Sequence, residues 1–177
     1  VENLSDCDDT NLMVKALNSN DRDFNVGAAG TTMRFLTAFL SKVVGEWTIT
    51  GTERMKNRPI KVLVDALNAL GARIEYMEKE GYPPLRIFGS ALQGGEISLP
   101  GNVSSQYISA ILMIAPLTEN GVTLHLEGAI ISRPYIHITL QLMEQYGVRA
   151  SWTENMIKVL PQELSLIHIS EPTRLGM

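Results

Sequence analysis

The chain has 177 residues, 45% hydrophobic and 19% charged, with a formal net charge of −4. That is the balance of a globular protein with a substantial core, and the acidic excess argues against a nucleic-acid or anionic-membrane binder. A single cysteine, Cys7, excludes an internal disulfide and a cysteine metal cluster. No apolar run reaches transmembrane length; the longest, 108–117, is ten residues and holds Ser109 and Pro116. The first residues, "VENLSDCDDTNLM", have no initiator methionine and no apolar leader, and read as an interior cut.

In chain order, residues 5–19 predict a short amphipathic helix behind Asp or Ser caps. "DRDFNVGAAG" reads as a polar turn entering glycines. Residues 31–44 carry Met33, Phe35, Leu36, Phe39, Leu40 and Val43 on a helical period, with Gly45 as the stop. "EWTIT" alternates as a strand, and "GTERMKNRP" reads as a polar loop. Pro59 suits the first turn of a helix through "IKVLVDALNALG". Two short strands flank a Gly-Tyr-Pro-Pro turn in 72–89, and another strand sits in "GGEISLPG". "VSSQYISAILMIAPL" (103–117) is a helix, "GVTLHLEG" a strand, and Pro134 opens a helix through "YIHITLQLMEQYG". A hairpin with a Glu-Asn turn follows. The order is mixed, α/β or α+β, with many short strands.

One spacing recurs. Arg58 to Arg133 is 75 residues, Gly71 to Gly147 is 76, Gly45 to Gly121 is 76, and Thr31 to Ser104 is 73. Four landmarks at nearly one period indicate an internal duplication of units of roughly βαβαββ size. The tail 165–177 shares neither the period nor any clear pattern and reads as non-native, leaving 1–164 as the folded part.

Two helix starts stand out as possible anion seats. In Gly30-Thr31-Thr32-Met33-Arg34 the glycine admits a ligand to the backbone, and free N–H groups with the helix dipole favour negative charge. A plain threonine cap explains the same residues. Ser104, Ser105 and Gln106 offer two hydroxyls and an amide at a second start, where capping needs only one of them. Arg54, Lys56 and Arg58 precede the first "RP" helix, and Ser132 and Arg133 the second. Arg58 can fork onto a carboxylate or phosphate, whereas Arg54 and Lys56 read as loop residues in solvent. Tyr135 lies in the first turn of its helix, facing either substrate or core. His125 and His137 have no third partner for a metal. No GxGxxG or Walker pattern is present.

Taken together, "AAGTTMRFL", "RMKNRPI", "LVDALNALGARI", "YPPLRIFG", "VSSQYISAILMIAPL" and "SRPYIHITLQLMEQYGV" resemble the amino-terminal lobe of the 5-enolpyruvylshikimate-3-phosphate synthase family across about residues 5–164. The resemblance implies a lobe of βαβαββ units about a pseudo-threefold axis, present here as about two and a half units. It implies transfer of the enolpyruvyl group of phosphoenolpyruvate to the 5-hydroxyl of shikimate 3-phosphate, by addition and elimination, without metal or organic cofactor. In that family's pattern Ser104, Ser105, Gln106, Ser132 and Tyr135 hold shikimate 3-phosphate, and Gly30, Arg58 and Gln106 hold phosphoenolpyruvate. Thr31 and Arg34 support the site. The resemblance further implies a cytoplasmic monomer of the shikimate pathway, a glyphosate target, with no nucleic-acid or membrane partner. Ala28 stands where the family often has asparagine. The family's Gly-Ser-Lys-Ser loop and its second lobe, with the catalytic acid and base, are not in the sequence, so the fragment is expected to be inactive, with apolar faces left open. The sister UDP-N-acetylglucosamine enolpyruvyl transferases share the fold but carry a reactive cysteine where 51–59 has none. A non-catalytic anion-binding α/β module is the other alternative.

Overall fold

A computed structural model describes residues 2–162; the proposed tail at 165–177 and the boundary at 164 lie outside the described residues. Its elements run α1 (Asp8–Leu17), β1 (Asp23–Asn25), α2 (Gly30–Lys42), β2 (Gly45–Thr50), α3 (Glu53–Lys56), α4 (Lys61–Ala69), β3 (Arg73–Tyr76) and β4 (Leu85–Gly89). The second half runs β5 (Gly95–Pro100), α5 (Ser105–Ile114), β6 (Val122–Glu127), α6 (Arg133–Gln145), β7 (Ala150–Thr153) and β8 (Met156–Val159).

The two halves repeat one wiring. In the first sheet the order is β1-β2-β4-β3, and in the second β5-β6-β8-β7. The first pair of each sheet is parallel, and the next two pairings are antiparallel. A parallel pair cannot be closed by a tight turn and needs a crossover. Helices α2 and α5 supply it, while α4 and α6 connect to the hairpins. Each half is therefore a βαβαββ unit, and the fold is the mixed α/β architecture expected from the duplicated spacing.

The helix ends repeat as well. After α4, Ala72 N–H donates to the Leu67 carbonyl and Gly71 N–H to Asn68. After α6, Val148 donates to Met143 and Gly147 to Glu144, each position shifted by 76. These are paired Schellman closures, which need a left-handed residue at the stop. Gly71 has φ +104° and Gly147 φ +82°.

Helix α5 lies at the centre because it has no polar face to show. Every side chain from Tyr107 to Leu112 is buried. It packs against α2, α4 and α6. Buried hydroxyls on the helices are satisfied locally: Thr37 donates to the Met33 carbonyl at 2.7 Å and Ser41 to Ala38 at 2.6 Å. The outer side of α6 is different. Ile138, Leu142 and Tyr146 are about half exposed. An apolar groove of about 430 Å³ runs between Phe35, Met113, Leu142 and Tyr146.

Four readings of local structure are corrected. "DRDFNVGAAG" is not all turn: β1 pairs with β2 through Asp23–Thr48, Phe24–Ile49 and Asn25–Thr50. Three residues are too short for alternation to show; the pairing comes from the neighbouring strand. "GTERMKNRP" is not all loop: Thr52 accepts a hydrogen bond from Met55 N–H and starts the single turn α3. Pro59 lies outside α4, whose N-cap is Ile60, because Ile60 N–H is drawn to the Gly81 carbonyl at 2.9 Å. Gly45 is not the stop of α2. Val43 ends that helix in an extended conformation, and Gly45 begins β2.

Leu112 is fully buried and Val44 is 82% exposed. Leu112→Ala is expected to lower the unfolding free energy by roughly 3 kcal/mol, from lost transfer energy plus the cavity left behind. Val44→Ala should stay within about 0.5 kcal/mol. Urea titrations of the two variants followed by circular dichroism check the pair.

Candidate anion site at two converging helix starts

The starts of α2 and α5 come together. Thr31 and Gln106 are the second residues of these two equivalent helices, 75 positions apart, and they bond to each other: Gln106 Nε2 donates to Thr31 Oγ1 at 2.9 Å. The next residue, Tyr107, donates its hydroxyl to the Pro59 carbonyl. The first turn of α5 thus grips both the start of α2 and the chain just after Arg58.

The capping arrangements differ between the two starts. At α5, Ser104 is the N-cap and its Oγ accepts from Gln106 N–H at 3.3 Å. Ser104 is therefore occupied as a cap, while Ser105, the next residue, opens the helix half-buried. At α2 the N-cap is Ala29, which has no side chain to offer. The cap comes from α1 instead. Asp9 Oδ1 accepts from Thr32 N–H at 3.0 Å, and Thr32 Oγ1 donates to the Asp9 carbonyl at 2.8 Å. Neither threonine caps its own helix: Thr31 serves Gln106 and Thr32 serves Asp9. Asp9 was not singled out in the sequence, where it reads only as part of an acidic helix start.

Over this pair lie three arginines. Arg34, 5% exposed, donates Nη1 to the Gly30 carbonyl at 3.0 Å, and its guanidinium sits 5.6 Å from the Tyr107 ring centroid. Its Nε is buried and has no partner among the described residues. Arg58 packs directly on Gly30. A β-carbon there would stand 2.2 Å from Arg58 Nη1 and 2.8 Å from Cζ. Glycine is needed at 30 for the guanidinium to reach this close. Arg54 joins Arg58, Ala28 and Met55 around a cleft of about 330 Å³.

The charges are unbalanced. Among the described residues none of these three arginines lies within ion-pair distance of a carboxylate, whereas Lys56 bridges Glu53 and Glu78. Burial, then the nearby positive charge of Arg34, lowers the Arg58 pKa below its ordinary value. A cation whose charged form is disfavoured by burial and by like charge gains most from an arriving anion. Such an arrangement can receive an anion.

Not every candidate residue is drawn into the same knot. Ser132 is the N-cap of α6 but makes no side-chain cap bond. Tyr135 is 64% exposed. Both sit at the start of α6, which packs beside α5 and is tied to it by Ser109 and Thr139 hydroxyls at 2.7 Å. Arg133 is turned elsewhere, with its guanidinium 5.3 Å from the Trp152 ring centroid.

Residues 1–170 match the family model described as EPSP synthase (3-phosphoshikimate 1-carboxyvinyltransferase). The chain belongs to that family. It is 61% identical over 161 residues to the 3-phosphoshikimate 1-carboxyvinyltransferase of Bacteroides fragilis, covering 90% of this chain and 39% of that protein. Against the Vibrio cholerae protein of the same name, identity is 52% over 124 residues, 70% of this chain and 29% of the relative. The solved EPSP synthase of Acinetobacter baumannii superposes with a TM-score of 0.71 at 25% identity, over 82% of this chain and 32% of that one. The chain thus spans about two fifths of the length of the Bacteroides relative. In this member of the EPSP synthase family, the first turns of α2 and α5 and the chain just after Arg58 are the parts that the Gln106 and Tyr107 bonds hold together.

The Asp9 cap gives a direct test of this scaffold. Asp9→Ala removes the acceptor for Thr32 N–H and is expected to cost about 1 kcal/mol of stability. Asp9→Asn keeps an acceptor and should cost less. Denaturant midpoints for the two variants distinguish the cases.

Proposed function

We propose that the protein carrying this chain transfers the enolpyruvyl group of phosphoenolpyruvate to the 5-hydroxyl of shikimate 3-phosphate, releasing phosphate. The observation that carries this reading is the convergence of two helix starts under arginines that have no carboxylate partner among the described residues. Both substrates are anions, and among the described residues Arg54 and Arg58 line one cleft here with no carboxylate in ion-pair distance.

In this reading the α5 start takes shikimate 3-phosphate. Ser104, Ser105 and Gln106 face it, and Ser132 and Tyr135 at the α6 start complete the seat. The α2 start takes phosphoenolpyruvate. Gly30 presents backbone, Arg58 clamps the charge with its planar fork, and Gln106 stands between the two substrates. Thr31 and Arg34 act indirectly, Thr31 by orienting the Gln106 amide and Arg34 by holding the Gly30 carbonyl. Such a site contributes positioning: two polyanions held side by side lose the translational cost of meeting, and the arginines lower their mutual repulsion. Addition of the 5-hydroxyl oxygen to the enol-phosphate carbon of phosphoenolpyruvate needs a base for the hydroxyl proton and a proton donor at the methylene; elimination takes a proton back from the resulting methyl as phosphate leaves. The residues placed here bind and orient; that proton transfer falls to groups of the complete enzyme.

The same reading makes the protein a cytoplasmic monomer of aromatic biosynthesis and a target of glyphosate, which resembles phosphoenolpyruvate. The UDP-N-acetylglucosamine reading lacks its cysteine: Cys7 is exposed at the start of α1, on a different element from the Arg58 loop.

Isothermal titration with shikimate 3-phosphate, then with phosphoenolpyruvate in its presence, tests the assignment. Ser105→Ala is expected to weaken shikimate 3-phosphate roughly tenfold, the loss of one charge-assisted hydrogen bond. Arg58→Ala should weaken phosphoenolpyruvate by about a hundredfold or more, since a forked ion pair is lost. Affinities unmoved by both changes would sink the site.

A further inference from the structure

The single turn α3 is built to present one side. Thr52 caps it, Met55 is fully buried beneath it, and Thr52 N–H is tied to the Gly27 carbonyl at 3.0 Å. With Met55 fixed, Lys56 faces Glu53 and Glu78, at 3.6 and 3.2 Å. Arg54, on α3, and Arg58, just after it, line the cleft together with Ala28 and Met55. Arg54 is exposed and Arg58 is partly buried. Among the described residues no acidic side chain lines this cleft.

We propose that Arg54 is the capture residue of this site: its exposed guanidinium at the cleft mouth draws in the polyanionic substrate and passes it to Arg58. The inference rests on the phosphoenolpyruvate reading above. An exposed charge beside a partly buried one divides the work. Charges at the rim act on encounter rate and are screened by salt, whereas buried charges act on residence. The chain as a whole is acidic, with a net charge of −4. A polyanion approaching it meets a repulsive background, so a local positive mouth matters more than in a neutral protein. Lys56 cannot serve this purpose, because its charge is already held by two carboxylates.

The test uses a full-length transferase carrying residues 2–162 of this sequence, with kcat/KM for phosphoenolpyruvate measured against ionic strength. At about 0.02 M salt, Arg54→Gln is expected to lower kcat/KM roughly fivefold with kcat unchanged; at about 0.5 M, where screening is nearly complete, the difference should vanish. Arg54→Lys should restore most of the low-salt rate. Lys56→Gln, which removes the same charge from the same turn, should leave the salt profile as it was. A low-salt kcat/KM for Arg54→Gln equal to wild type, beside a clear loss for Arg58→Gln, overturns the inference and leaves the reading of the site intact. No loss for Arg58→Gln overturns the reading itself. A deficit in Arg54→Gln that persists at high salt also counts against capture, and unchanged thermal midpoints establish that the variants are folded.

Discussion

The hydrogen bond from Gln106 to Thr31 is the constraint on which the rest of the site depends. It joins the second residues of two helices that the duplication makes equivalent, so it lies where the two units meet. Its net worth is modest, about 1 kcal/mol. Its effect is larger than its energy because of what stands beside it. Tyr107, one residue on, holds the chain after Arg58, and Arg34 spans from the Tyr107 ring to the Gly30 carbonyl. Shifting α5 along its axis would move the α2 start, the Arg58 loop and the Arg34 bridge together. The buried run from Tyr107 to Leu112 prevents that shift, so the apolar core and the polar site are held by one helix.

The electrostatics follow from the same geometry. Among the described residues the three arginines have no carboxylate partner, and burial first, then the like charge of Arg34, lowers the Arg58 pKa. The structure tolerates them by spending hydrogen bonds on one member: Arg34 is anchored to a carbonyl and lies over an aromatic ring. Asp9 is the nearest relief, and its carboxylate is committed to Thr32 N–H and not to a guanidinium. The cap takes one donor of α2, and no protein partner for the N–H groups of Gly30 and Thr31 is seen among the described residues. An anion can therefore meet both backbone donors and guanidinium groups at one point.

Much of this was legible in the sequence, for physical reasons that vary by residue. Long apolar runs such as 105–114 and glycine stops such as Gly71 and Gly147 carry local signals strong enough to survive any context. The repeated spacing carried the topology, since two copies of one wiring must place equivalent landmarks at one interval. Strand β1 and turn α3 were not legible, because each owes its shape to a neighbour: β1 to the edge of β2, α3 to Thr52 and a buried methionine. The Asp9 cap was invisible for the same reason, since its partner lies 23 residues away. Arg54 and Lys56 looked alike in sequence and differ in space, because only Lys56 has Glu78 within reach.

The duplicated "Arg-Pro" shows how one scaffold comes to hold two different seats. Arg58 and Arg133 are 75 residues apart and look equivalent. Yet Arg133 is the first residue of α6, while Arg58 stands three residues ahead of α4. The shift has a cause. In the first unit the hairpin between β3 and β4 is long, and its Gly81 carbonyl binds Ile60 N–H, delaying the helix; in the second unit β7 and β8 are joined by Glu154 and Asn155 alone. Delay frees Arg58 from helical geometry and lets it reach back to Gly30. Without delay, Arg133 is carried along the helix and settles by Trp152, leaving Ser132 and Tyr135 at that helix start. The long hairpin of the first unit, remote in sequence from both helix starts, is therefore part of what sets a guanidinium against the α2 start and leaves hydroxyls at the α6 start.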